Sequence, residues 1–174
     1  MATAVIVDGI RTPFVKAGGP LTDVTAPELG RLVVRELLDR NNLDPAEVDE
    51  LIAGNVASPP DSANVARVIA LRCGMSRASI AHTVNRNCAS GMESVTEAVA
   101  RVESGEARTV VALGVDSMSN IPVFWKKKFA EKLFSVVKAR SPLQKLGALT
   151  KFRPADLQPQ VGIEMGLKDP VSGL

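Results

Sequence analysis

Val84-Asn85-Arg86-Asn87-Cys88-Ala89-Ser90-Gly91-Met92-Glu93 is the stretch on which the reading of this chain turns. A run suited to a strand, residues 79–84, leads into it. Residues 89–103 follow with helical spacing until Ser104-Gly105 stops them. Cys88 is therefore expected at a strand-to-helix turn, at or just before the helix start. The unpaired N–H groups of a first helical turn, with the positive end of the helix dipole, favour a thiolate over a thiol. The same groups can stabilise a developing oxyanion. Ala89, Ser90 and Gly91 are small, which leaves room for a substrate carbonyl and for close packing of the helix beneath. A cysteine at a strand end also reads as a small buried apolar residue. Position alone leaves both readings open.

Outward from this turn, residues 1–119 alternate between strand and helix patterns. Ala4-Val5-Ile6-Val7, closed by Asp8-Gly9, predicts a buried strand, and Leu51-Ile52-Ala53 before Gly54 a second, shorter one. Residues 79–84 make the third strand and 109–113 the fourth. A helix is expected from Ala26, with Leu29, Leu32, Val33, Leu37 and Leu38 on one face. Thr25 and Glu28 have the spacing of a capping box. Asn64 to Cys73 predicts another helix, stopped at Gly74. Such alternation calls for an α/β fold, a mostly parallel sheet with helices on its faces. With 45% apolar residues, 3% aromatic and no Tyr, its core has to be built from Ala, Val, Leu and Ile.

Two cysteines without framework spacing, Cys73 and Cys88, read as free thiols in a reducing, cytoplasmic compartment. Asp8 and Arg11 interrupt any secretory leader, and no apolar run reaches the ~20 residues of a membrane span. No metal-ligand set is read from the chain.

The net charge of +2 conceals an asymmetry. Residues 1–119 carry 11 Lys/Arg against 15 Asp/Glu, whereas residues 120–155 carry nine Lys/Arg against Glu131 alone. The expected organisation is thus an α/β domain over 1–119 and a basic module over 120–174. The closing Asp169-Pro170-Val171-Ser172-Gly173-Leu174 completes no element and reads as a cut. In the module, Phe124-Trp125-Lys126-Lys127-Lys128-Phe129 mixes aromatics with cations. That composition suits an anionic membrane surface, worth about 1 kcal/mol per basic residue. It also suits attraction of phosphates, docking of a partner subunit, or a solvated helix with its apolar side on the main domain. A nucleic-acid role is not expected, because the basic residues are confined to one loop without a recognition motif.

Asn85-x-x-Cys88-Ala89-Ser90-Gly91-Met92 resembles the acyl-enzyme signature of the thiolase family. Asp8-Gly9-Ile10-Arg11-Thr12-Pro13-Phe14 looks like that family's opening strand and turn, and Leu113-Gly114-Val115-Asp116-Ser117-Met118-Ser119 like the strand entering its inserted loop domain. Asn64 with Ala66-Arg67 resembles the helix between them. The resemblance implies a thiolase-like N-terminal half with part of the inserted loop domain. It implies acyl transfer through a thioester on Cys88, with acyl-CoA and CoA as substrates and no permanently bound cofactor. It further implies a dimer or tetramer. The long basic loop resembles that of thiolase subunits in fatty-acid β-oxidation complexes, some of which associate with membranes; this suggests a complex partner or a peripheral membrane contact through 121–153.

The resemblance also assigns an activating histidine and a second cysteine to a C-terminal half, and most of the CoA-binding loop to residues beyond Leu174. His82, the sole histidine, matches no family motif and reads as structural, as does Cys73. The alternatives are a non-catalytic split half that needs a C-terminal partner, or a membrane- or partner-binding module.

Overall fold

The computed structural model describes residues 3–157 and 159–161, which fall into two compact units divided between Ile121 and Pro122. In the first unit, helix α1 (Ala26–Arg40) precedes strand β1 (Glu50–Gly54). Helix α2 (Val65–Arg72), strand β2 (Ile80–Val84), helix α3 (Ser90–Glu103) and strand β3 (Val110–Gly114) follow. The three strands form a parallel sheet in the order β2-β1-β3, with Ile52 level with His82 on one side and Ala112 on the other.

Side chains alternate across the sheet with the period of two that strands impose. Leu51 and Ala53 of β1 join Val111 of β3 in one apolar core with Val34 and Leu38 of α1 and Val65, Ile69 and Cys73 of α2. Glu50, Ile52 and Gly54 alternate to the side that carries α3. There the helix buries only Ser90 and Ser94, so it approaches the sheet through small residues. The β1-to-β2 and β2-to-β3 crossovers run in opposite directions along the sheet, and right-handed connections then place α2 and α3 on opposite faces.

Several expectations change here. The short segment 51–53 is the fully buried central strand: Leu51, Ile52 and Ala53 are each 0% exposed. The run 4–7, expected as a buried strand, joins no ladder, and Val5, Ile6 and Val7 are 77–83% exposed. Apolar alternation gives a segment the capacity to pair, but a strand needs an edge within hydrogen-bonding distance. The arm that includes Asp8–Ala17 is instead held at its ends, by Asn41 Nδ2 donating to Asp8 (2.9 Å) and Gly18 N–H donating to Ser119 Oγ (3.0 Å). A cavity of about 580 Å³ separates this arm from β3 and α1.

The capping box is also absent. Thr25 caps α1 through its backbone carbonyl, which accepts from Glu28 and Leu29, while Arg31 takes both carboxylate oxygens of Glu28. The buried stripe of α1 is Ala26, Gly30, Val34 and Leu38, not the one centred on Leu32, which is exposed. Gly30 sets that rotation: a Cβ there would lie 2.3 Å from Ile69 Cδ1, so α1 and α2 cross at this point. Gly74 behaves as read, adopting φ +84° at the end of α2, while Asn64, expected as the first helical residue, is its N-cap and accepts from Arg67 N–H.

In the second unit, strands β4 (Val123–Trp125) and β5 (Pro159–Val161) pair antiparallel around helices α4 (Lys127–Lys138) and α5 (Pro142–Leu149). Trp125 stacks on Phe129, and Phe152 meets Phe129 edge-on. Lys132 reaches Asp156 at 2.5 Å. Among the described residues, no helix is long and apolar enough to cross a membrane.

Ile52→Ala is expected to destabilise the first unit by about 2–5 kcal/mol, whereas Ile6→Ala should stay within about 0.5 kcal/mol. Urea unfolding of the two variants, monitored by circular dichroism, checks the contrast. Equal losses would contradict the exposed placement of the arm.

Candidate active site at the β2–α3 turn

The turn that carries Cys88 is fixed by its own polar side chains. Asn87 adopts φ +49°, a left-handed conformation that asparagine tolerates better than most residues. The Asn85 side-chain oxygen accepts from Asn87 N–H at 3.0 Å and so starts the turn. Ser90, almost fully buried, closes it: its hydroxyl donates to the Asn87 carbonyl (2.6 Å) and accepts from Arg86 N–H (2.8 Å). Ala89 is the N-cap of α3, so Cys88 stands one residue before the cap and is exposed.

The helix beneath is held unusually close to the sheet. A Cβ on Gly54 would fall 2.3 Å from the Ser90 carbonyl carbon and oxygen, and one on Gly114 would lie 3.1 Å from the Gly91 Cα. Ser94, 0% exposed, shares its one hydroxyl proton between the Gly91 (2.7 Å) and Leu113 (3.0 Å) carbonyls. The first turn of α3 thus rests directly on the carboxyl ends of β1 and β3. This is the end of an open parallel sheet where ligand sites form.

The loops around Cys88 are tied to one another by Asp116. One carboxylate oxygen accepts from Asn55 Nδ2 (2.9 Å), Val56 N–H (3.0 Å) and Ala57 N–H (2.8 Å). Asn55 Nδ2 also donates to the Val115 carbonyl. Val56, Asp116, Ser117 and Met118 line the same cavity as Cys88. The sequence pointed to the segment containing Asp116, but not to this clamp. Nor did it show the paired glycines under α3, whose one signal is that both β1 and β3 end in Gly.

The other two residues weighed from sequence lie elsewhere. Cys73 is 1% exposed, its Sγ 3.6 Å from the Arg31 carbonyl, and burial pushes its thiol pKa up against the opposing pull of Arg31 and Arg35. His82 hydrogen-bonds through Nε2 to Glu97 (2.8 Å), while Nδ1 lies 3.1 Å from a Glu50 oxygen that accepts no hydrogen bond. Neither nitrogen is directed at Cys88.

The sequence profile of the thiolase N-terminal domain matches residues 4–161. The chain belongs to the thiolase family. It is 39% identical over 154 residues to a 3-ketoacyl-CoA thiolase of Aeromonas salmonicida, an alignment covering 88% of this chain and 35% of that protein. It is 37% identical over 169 residues to one from Colwellia psychrerythraea, covering 92% and 39%. Among solved structures, a Bacillus anthracis acetyl-CoA acetyltransferase superposes with TM-score 0.81 at 29% identity, over 100% of this chain and 39% of that one. The Acat5 thiolase from Ascaris suum, solved in complex with coenzyme A, gives TM-score 0.66 at 34% identity over 68% of this chain and 31% of its own. This thiolase chain spans little more than a third of the length of the curated relatives described.

Gly54→Ala should cost this thiolase chain at least about 1–3 kcal/mol, because the obstacle is backbone and cannot rotate away. The measurement is urea unfolding, with Gly147→Ala, which meets nothing within 4 Å, as the control.

Proposed function

We propose that this chain supplies the acyl-carrying half of a thiolase, with Cys88 as the nucleophile. The observation that carries the reading is the exposed Cys88 at the head of α3, at the carboxyl end of a parallel sheet, inside a thiolase match. In the thiolytic direction, the Cys88 thiolate adds to the 3-keto carbon of a 3-ketoacyl-CoA. The bond between C2 and C3 then breaks, leaving an acyl thioester on Cys88 and a carbanion on the departing acetyl-CoA, which takes up a proton. The thiolate of a second CoA attacks the thioester and expels Cys88. Splitting the reaction this way replaces one difficult step by two easier ones and gives ping-pong kinetics. The N–H groups of Arg86, Asn87, Ala89 and Ser90 already donate within the turn, so these four are not the donors for the oxyanions of either step.

The proton-transfer groups, a histidine and a second cysteine, are assigned to a C-terminal half, in keeping with the share of the relatives that this chain spans. Dimeric or tetrameric assembly is part of the same reading. In the chain itself, Cys88 should react with iodoacetamide at least about tenfold faster than Cys73, since one thiol is exposed and the other buried with its thiolate disfavoured. Assembled with a C-terminal half, Cys88→Ala should lose at least about a thousandfold in thiolysis and all acyl-enzyme by intact mass. Thiolysis by the chain alone would refute the assignment of the base to that half.

A second reading concerns the basic unit. On α4, Leu133, Phe134 and Val137 are exposed on one side, with Lys127 and Lys138 beside them. We infer that this face meets an anionic membrane surface. Co-sedimentation with vesicles containing phosphatidylserine should fall steeply between about 50 and 500 mM salt. Binding indifferent to both salt and anionic lipid would remove this reading.

A further inference from the structure

The proposed reaction leaves unused a set of charged groups around α3. His82 stands on β2, six residues before Cys88, with its ring between carboxylates from two different elements. Nε2 is 2.8 Å from Glu97 of α3, and Nδ1 is 3.1 Å from Glu50 of β1. The Glu50 side chain is 3% exposed. Its other oxygen lies 3.5 Å from Arg101 of α3, which in turn pairs with Glu106. On the opposite face of β2, α2 presents Arg67, whose guanidinium is taken up by the carbonyls of Arg77 and Ser79. Of the two ring contacts, only that with Glu97 is a hydrogen bond; the Glu50 oxygen nearest the ring is buried and accepts none, so ring and Glu50 meet through charge alone.

This contact is the last of three rungs. Ser90, Glu93 and Glu97 recur at i, i+3 and i+7, which puts them on one face of α3. Each meets the chain that enters the turn. Ser90 Oγ accepts from Arg86 N–H at 2.8 Å, Glu93 holds the Arg86 guanidinium at 2.5 Å, and Glu97 holds His82. The first two rungs end on Arg86, whose side chain is 70% exposed. The third anchors α3 to a buried carboxylate of the central strand.

We propose that His82 is a positioning residue for Cys88, bridging Glu97 and Glu50 so that α3 is held at a fixed height along β2, with the charge on the ring setting how firmly. The proposal rests on Cys88 being the nucleophile, but its test does not pass through turnover. Because His82 is the one histidine in the chain, its ring can be followed alone by NMR while the alkylation of Cys88 by iodoacetamide is measured from pH 5.5 to 9. The expected wild-type profile has two inflections, one from the thiol and one coinciding with the ring titration. The second should change the rate by about two- to fivefold. It should vanish in Glu97→Gln and in His82→Gln. Continued protection of Cys73 from the reagent reports that each variant is folded; should His82→Gln fail this check, Glu97→Gln decides.

A wild-type profile with the thiol inflection alone would overturn the proposal. So would a second inflection that persists unchanged in folded Glu97→Gln. Failure to form a thioester at Cys88 in the assembled enzyme would sink the nucleophile reading instead and leave these alkylation profiles as they are.

Discussion

The contact that the rest of this structure depends on is between backbone and backbone. Gly54 and Gly114, at the carboxyl ends of adjacent parallel strands, admit Ser90 and Gly91, the first at a distance no side chain would permit and the second at one that a Cβ would make tight. The residues that α3 itself buries fully are Ser90 and Ser94, so apolar packing on this face comes from Ile52 of β1 more than from the helix. What holds it is the absence of Cβ atoms below and a set of polar bonds, from the Ser94 hydroxyl to the Leu113 carbonyl and from Ser90 back to the turn. A contact of this kind fixes height and angle rather than contributing much free energy, which suits an element that has to present a thiol.

The two faces of the sheet therefore divide the work. Toward α1 and α2 it is an apolar core, where Leu51, Ile69, Val34 and Leu38 are removed from water and supply most of the stabilisation. Toward α3 it carries Glu50 and His82, groups that a core built only for stability would exclude. Strand β1 belongs to both environments in alternate residues. A one-residue slip would carry Glu50 into the apolar core and expose Leu51 to the charged side, so the register of this strand is strongly specified.

Much of this was legible in the sequence, and the failures share a cause. The turn around Cys88 could be read because its determinants are local: a strand run, Asn and Ser at turn positions, then helical spacing. The stop at Gly74 and the helix that begins near Asn64 are local in the same sense. Misreadings arose where a distant partner decides. Glu28 had the spacing to cap Thr25, but Arg31 one turn later offered a charged partner. The apolar run 4–7 has every property of a strand except a neighbouring edge. His82 matches no motif of the family, and the two carboxylates beside it lie 32 residues upstream and 15 downstream, on separate elements.

The unpaired arm has a practical side for anyone handling this protein. Beyond β3 the sheet ends in a row of backbone donors and acceptors with no strand beside them among the described residues, and Val5, Ile6 and Val7 are held in solvent. Natural sheets protect such borders with charges, prolines or bulges. Ala4-Val5-Ile6-Val7 has none of these until Asp8. An unpaired apolar run and an open sheet border on one molecule are complementary, the combination by which strand edges pair between copies of a chain.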